Sequence, residues 1–210
     1  MLKKFSIILL LALVSVPVAL AQGADDASKF HFSIYAEAGL GLTSFRSSDK
    51  ALDPSFSSVV SPVAGIGANV RTIGRDSHAD KGWLGLQAGV LYTKYGFKAD
   101  GDIKITGDYL CIPIDVQVYP LENLYISAGP EICLNLGLSP KNARILDMDI
   151  DLNNRKANDV KIAVGAGYML KSIPIGIQAK YLIGTSNFMS NLPWKNNQAR
   201  LSIFYRFSFK

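Results

Sequence analysis

Two cysteines, two histidines, one acidic run and a scatter of isolated charges are the residues of this 210-residue chain whose types could do chemistry. Asp147-Met148-Asp149-Ile150-Asp151-Leu152-Asn153 resembles the opening of a calcium loop. Such a loop needs Gly at its sixth position and Glu at its twelfth, where this chain has Leu152 and Asn158. The alternation of Asp with Met148, Ile150 and Leu152 reads more simply as a strand, so no metal site is assigned. A hydrolase needs a nucleophile, a base and an orienting acid together. His31 and His78 are the only histidines, 47 positions apart with no nucleophile motif beside either, so no catalytic residue is assigned. Cofactor sites are likewise not expected. Glu37, Asp115 and Glu131, with Arg71, Lys161, Lys180, Arg200 and Arg206, stand singly among Gly, Ser, Gln and Asn. Cys111 and Cys133 are the whole thiol complement.

What these residues can do depends on the elements that carry them. Met1-Leu2-Lys3-Lys4 followed by the apolar run from Phe5 to Val16, then Ala19-Leu20-Ala21, has the three parts of a secretory leader, with cleavage expected before Gln22. Removing these 21 residues and the two leader lysines takes the chain from 210 residues at +5 to 189 at +3. No basic run remains that would footprint on nucleic acid. No later segment reaches the length of unbroken apolar sequence that a spanning helix needs. The domain division is therefore 1–21 leader and 22–210 a single domain.

That domain alternates with a period of two over eight segments, at 30–43, 60–71, 83–93, 110–119, 124–138, 160–168, 175–184 and 198–209. In the first, Phe30, Phe32, Ile34, Ala36, Ala38, Leu40 and Leu42 fall on one face, and His31, Ser33, Tyr35, Glu37, Gly39, Gly41 and Thr43 on the other. Any half-buried sheet alternates, and a soluble lipocalin-like periplasmic carrier with an apolar interior is the competing reading. The polar face decides between them. A solvated exterior carries many Lys and Glu, whereas here that face is mostly Gly, Ser, Gln and Asn, which suits the narrow lumen of an eight-stranded barrel. The opposite face is almost uncharged, as hydrocarbon requires. The expected fold is an all-β, eight-stranded, antiparallel up-and-down transmembrane barrel; extra strands near Phe97 and Asp147 would make it ten. With the first strand starting in the periplasm, the connections at 44–59, 94–109, 139–159 and 185–197 face outward. Those at 72–82, 120–123 and 171–173 face inward and are shorter, the asymmetry of outer-membrane barrels.

Asp108-Tyr109-Leu110-Cys111-Ile112-Pro113-Ile114, then Tyr119-Pro120 and Tyr125-Ile126-Ser127-Ala128-Gly129-Pro130, resembles the central signature of the outer-membrane β-barrel domain family, the PorT-like, porin-family proteins of Bacteroidota. Tyr109, Leu110, Ile112 and Pro113 are the signature positions. Tyr205-Arg206-Phe207-Ser208-Phe209 is similar to the terminal aromatic strand that barrel-assembly machinery reads, although the chain ends on Lys210. The resemblance implies a Gram-negative outer-membrane location and says little of activity.

In such a barrel Glu37, Arg71, Asp115, Glu131, Lys161, Lys180, Arg200 and Arg206 all point inward and should pair, because an unpaired charge there is costly. They then form either a polar plug fixing strand register or a narrow gated path. Cys111 and Cys133 lie on the polar face of neighbouring strands. A pairing sum of 244 makes them direct partners within disulfide reach, whereas 242 or 246 sets them diagonally apart; export permits oxidation. Phe45, Phe56, Phe97, Phe188, Met189 and Trp194 fall in the outer connections, as girdle residues or as a surface for an extracellular protein or glycan. The expected role is structural or interaction-based, in a monomer contacting outer-membrane lipid, with a narrow channel or a membrane enzyme as the alternative.

Overall fold

The computed structural model describes residues 30–47, 57–72, 82–99, 103–139, 142–145, 148–151, 158–185, 187 and 194–208. Residues 1–21, expected as a leader, His78, Phe56, Phe188, Met189, Phe209, Lys210 and parts of the acidic run lie outside them. Among the described residues there are ten strands: β1 Phe30–Ser47, β2 Ser57–Thr72, β3 Leu84–Ala99, β4 Ile103–Leu121, β5 Leu124–Ser139, β6 Asn142–Ile145, β7 Met148–Asp151, β8 Asn158–Met169, β9 Ile175–Gly184 and β10 Trp194–Ser208. Eight of them close into one antiparallel barrel in the order β1-β10-β9-β8-β5-β4-β3-β2. β6 and β7 pair only with each other, so the strand formed by the acidic run stands in a connection of an eight-stranded barrel. Closure leaves no sheet edge, the condition for β-structure in hydrocarbon.

The alternation sets the two faces. Leu40, Ile66, Val116, Ile126, Ile162, Ile177 and Leu201 are exposed on the outside, whereas the polar face turns into a filled interior. Outward apolar residues run from Leu110 to Val118 on β4 and from Phe30 to Leu42 on β1. At about 3.3 Å per residue and a tilt near 40° these spans rise roughly 20 and 30 Å, bracketing the apolar band of an outer-membrane barrel.

The strands at one end outrun that band. β3 continues to Ala99 and β4 begins at Ile103, so 94–99 and 103–109, expected within a long loop, pair as a tall hairpin. Alternation persists there, but its polarity inverts. Tyr95, Phe97, Ile105 and Tyr109 turn inward and are buried, while Lys94, Lys98 and Asp108 face out. A strand leaving lipid for water must exchange its faces in this way. Both termini of the barrel chain lie at the other end, with the β4–β5 turn at Glu122-Asn123 and the β8–β9 connection.

Register follows one rule over most of β4–β5, pairing Tyr109 with Asn135, Leu110 with Leu134 and Gln117 with Ser127. Between Asp108 and Tyr109 a bulge skips Leu136. Bulky inward rings need room across the lumen, which glycines supply: a Cβ on Gly67 would sit 2.5 Å from the Tyr35 hydroxyl, and one on Gly89 2.6 Å from it.

Candidate functional site: the barrel interior and its two mouths

From the tall-hairpin end downward, the first layer of the lumen is aromatic. Phe45 and Phe97 meet at 4.7 Å between ring centroids, and Tyr95 meets Tyr109 edge-on at 4.8 Å. All four rings are buried. Phe45 and Phe97 are therefore neither girdle residues nor a free binding surface, because each occupies an odd, inward position and the strands carrying them continue above the band.

Beneath this lid Lys161 points its Nζ at Asp159 Oδ2, 2.8 Å away, donates to the Asn196 carbonyl at 3.3 Å and lies 4.2 Å from the centre of the Tyr95 ring. Asn196 Nδ2 also donates to Asp159 Oδ2, at 3.1 Å. Asp159 was assigned by sequence to the end of an outer loop; it lies inside β8 instead, one residue after its start. Its position two residues before Lys161, on the same face, was the available signal.

The middle layer holds the strongest pair. Arg200 grips Glu131 with two parallel hydrogen bonds, Nη1 to Oε2 at 3.0 Å and Nη2 to Oε1 at 2.9 Å. Tyr95 Oη donates to Glu131 Oε1 at 3.3 Å. Gln198 Oε1 accepts from Arg200 Nε and Nη2, at 3.2 and 3.0 Å. One layer down, Lys180 pairs with Asp115, and Glu37 accepts from Gln178 and from Ser202. Arg200–Glu131 has the bidentate geometry and satisfied acceptors that a buried ion pair needs to persist, whereas Asp115 Oδ1 and Asp159 Oδ1 are buried without a partner. Two of the carboxylate–cation contacts, Lys180–Asp115 and Arg200–Glu131, thus cross the lumen between strands that are not neighbours, while Lys161–Asp159 stays within β8.

Cys111 and Cys133 are opposed in register, with Cα atoms 4.0 Å apart and sulfurs 2.15 Å apart in a disulfide. The two sulfurs with a Glu131 oxygen are the only cluster of three potential metal-ligand atoms among the described residues. Joined sulfurs offer no thiolate, so this trio does not present a metal site in the oxidised chain.

Below the charges comes a relay of amides and phenols. Asn69 donates to Gln117 Oε1 at 2.7 Å, Gln117 Nε2 to Gln87 Oε1 at 2.8 Å, Tyr119 Oη to Gln117 Oε1 at 2.6 Å and Tyr125 Oη to Gln178 Oε1 at 3.0 Å. Sequence reasoning passed over these uncharged residues, although their inward parity marked them. Tyr119, Tyr125 and Phe204, with Met169 against them, then close the lower lumen. Arg71 and Arg206 lie at that end, with the Arg71 guanidinium 3.6 Å from the centre of the Tyr119 ring and that of Arg206 5.3 Å from the Phe204 ring. Neither enters an ion pair among the described residues, nor does Glu37, which is held by Gln178 and Ser202 instead, so the expectation that every inward charge is paired fails for these three. Both arginines project beyond the layers that carry the carboxylates.

A closed eight-stranded barrel with an apolar exterior and an interior filled by side chains is a transmembrane β-barrel of the outer-membrane type. The chain belongs to the outer membrane protein beta-barrel domain family, whose model matches residues 6–207. Among solved structures it is similar to Neisserial surface protein A, at 15% identity with a TM-score of 0.51, covering 84% of this chain and 97% of that one. Ail, the attachment invasion locus protein of Yersinia pestis, is 16% identical with a TM-score of 0.43, covering 83% and 98%. OprG from Pseudomonas aeruginosa is 12% identical with a TM-score of 0.41, covering 85% and 97%. The first likeness supports the fold alone. No curated protein sequence matches this one.

Proposed function

We propose that this protein is a plugged outer-membrane barrel that acts through its raised extracellular end, as a structural or interaction protein, and neither conducts solutes nor catalyses a reaction. The observation that carries this reading is the interior. Buried rings close both ends, and three ion pairs and an amide relay fill the space between. The β3–β4 hairpin meanwhile rises beyond the apolar band with Lys94, Lys98 and Asp108 on its outer face, a polar surface suited to an extracellular protein or glycan. The barrel acts as a monomer bathed in outer-membrane lipid, inserted by the barrel-assembly machinery after export by the 1–21 leader. Within the family it falls with the PorT-like members, on the strength of Tyr109-Leu110-Cys111-Ile112-Pro113.

The test has two arms. Lys98→Cys, on the exposed face of the hairpin, in a variant whose native cysteines are serines, should react with a membrane-impermeant maleimide on intact cells. The purified barrel should give no conductance steps in planar bilayers. Labelling only after the outer membrane is breached would reverse the orientation, and reproducible unitary steps would replace the plug with a channel. N-terminal sequencing of the membrane-inserted protein should begin at Gln22.

A further inference from the structure

The lower mouth holds an unsatisfied donor pair. Arg206 is only 8% exposed, yet its Nε and Nη2 are both buried without a hydrogen-bond partner. These two N–H groups form one edge of the guanidinium, pointing the same way in the parallel geometry that takes both oxygens of a carboxylate or two oxygens of a phosphate. Elsewhere in this lumen Arg200 holds a carboxylate across its Nη1/Nη2 end and an amide oxygen on its Nε/Nη2 edge. Among the described residues Arg206 has neither.

A second positive charge stands nearby. Arg71 is buried, donates Nε to the Gly82 carbonyl at 2.6 Å and Nη1 to the Glu122 carbonyl at 2.8 Å, and stands at one end of the ring row Tyr119–Tyr125–Phe204 whose other end carries Arg206. The Glu122 side chain is exposed and enters no ion pair among the described residues. Opposite Arg71 in the β1–β2 register is His31, which has contacts of its own. Two like charges beside a free donor edge, with no carboxylate of the described residues paired to either, are an expensive arrangement in a barrel where Glu131, Asp115 and Asp159 each hold a cation. An anion bound there removes both costs.

We propose that the lower mouth of the barrel is an oxyanion-binding site in which the Nε/Nη2 edge of Arg206 receives a carboxylate or phosphate group from the periplasmic side, with Arg71 supplying a second positive charge. The shared chemistry is an anion with two oxygens in one plane, whether from a soluble phosphate, a peptide carboxylate or a lipid headgroup.

The experiment uses the full barrel with 15N-labelled arginine, in maltoside micelles and in nanodiscs containing phosphatidylglycerol. The Arg206 Nε–H resonance is followed while inorganic phosphate or acetate replaces chloride at constant ionic strength. A saturable shift is expected with phosphate and acetate and not with chloride. Arg206→Lys should weaken binding at least tenfold, since an ammonium cannot present the parallel pair, and Arg206→Met should abolish it. Each variant is checked for the heat-modifiable gel shift of a folded barrel. A soluble oxyanion as the source requires titration in both media; an Arg206 resonance already shifted in nanodiscs but free in maltoside assigns the site to lipid phosphate. A resonance insensitive to anions in both media overturns the proposal, because water or the chain itself then fills the edge. Binding unchanged in Arg206→Lys and Arg206→Met overturns it equally.

Discussion

Removing Arg200 should be among the most damaging single changes in the lumen, and removing its partner as well should repair most of the damage. Glu131 is fully buried and receives two hydrogen bonds from Arg200 and a longer one from Tyr95 at 3.3 Å. Arg200→Met deletes the first two, leaves Glu131 as a buried carboxylate with a weak donor, and strips Gln198 Oε1 of both its donors. Breaking a buried pair from one side costs about 3–5 kcal/mol. Glu131→Leu strands the guanidinium in the same way, at a similar cost. The double variant Glu131→Leu/Arg200→Met puts apolar volume in place of the pair, and such replacements fall within about 1–2 kcal/mol of the starting protein. The double-mutant cycle should therefore return a coupling of at least about 3 kcal/mol. The assay is urea unfolding in phospholipid vesicles, with Trp83, exposed at the rim just before β3, as the fluorescent reporter. If Arg200→Met costs under about 1 kcal/mol, the pair is solvated and the lumen is open. If the double variant costs as much as the two singles added, the contact is not the source of either penalty.

Three further outcomes follow from the same geometry. Reducing or replacing the Cys111–Cys133 bond, which spans a sequence separation of 22, should cost about 3 kcal/mol by loop-closure entropy; non-reducing mass spectrometry should find both thiols blocked, and alkylation of the untreated protein would remove the bond from the account. Ile162→Arg, at a half-exposed position on the outer face opposite Pro130 and Ile183, should cost about 2–4 kcal/mol in vesicles if that face meets the bilayer interior, and a neutral effect would contradict the lipid assignment. Above the band, Asp108 is held below the usual carboxylate range first by the Tyr92 hydroxyl and then by Lys94. Its contribution to the hairpin is present above the ordinary carboxylate pKa and is lost as pH falls through the lowered folded value; a carbon-detected titration of Asp108 with a midpoint at or above that of a free Asp would refute the contact.

The barrel was legible because its signal repeats. Fourteen alternating residues from Phe30 to Thr43 fix which side chains share a face whatever the local propensities, and parity alone placed Glu37, Asp115, Glu131, Lys161 and Arg200 inside. The same parity reached Cys111 and Cys133, but only an absolute register, one value of the pairing sum, makes them direct neighbours, and parity leaves several values open. Strand ends were less legible because the criterion used was apolarity. Beyond the band the faces exchange roles, so Tyr95, Phe97 and Ile105 looked like loop residues when the alternation was still running. Asp159 was lost for the same reason. The unpaired state of Arg206 was not in the sequence at all, since it depends on how far each inward side chain reaches down the lumen.

A polar lumen also explains why one sequence settles on one register in a medium that rewards any apolar face. Lipid cannot tell Leu40 from Leu42, and a strand slid by two residues loses little on its outer face. The inner face can tell. Asp115 on β4 meets Lys180 on β9, Glu131 on β5 meets Arg200 on β10, and Glu37 on β1 meets Gln178 on β9, each contact joining strands that are not neighbours in the barrel. A two-residue slip of one strand breaks such a contact and strands both partners at the one-sided cost of about 3–5 kcal/mol. A one-residue slip is worse, because it turns the whole polar set, charges included, toward hydrocarbon. The buried pairs need not add net stability to the folded barrel to do this. They make every neighbouring arrangement worse, which leaves the raised hairpin at the outer end in one fixed position relative to the membrane.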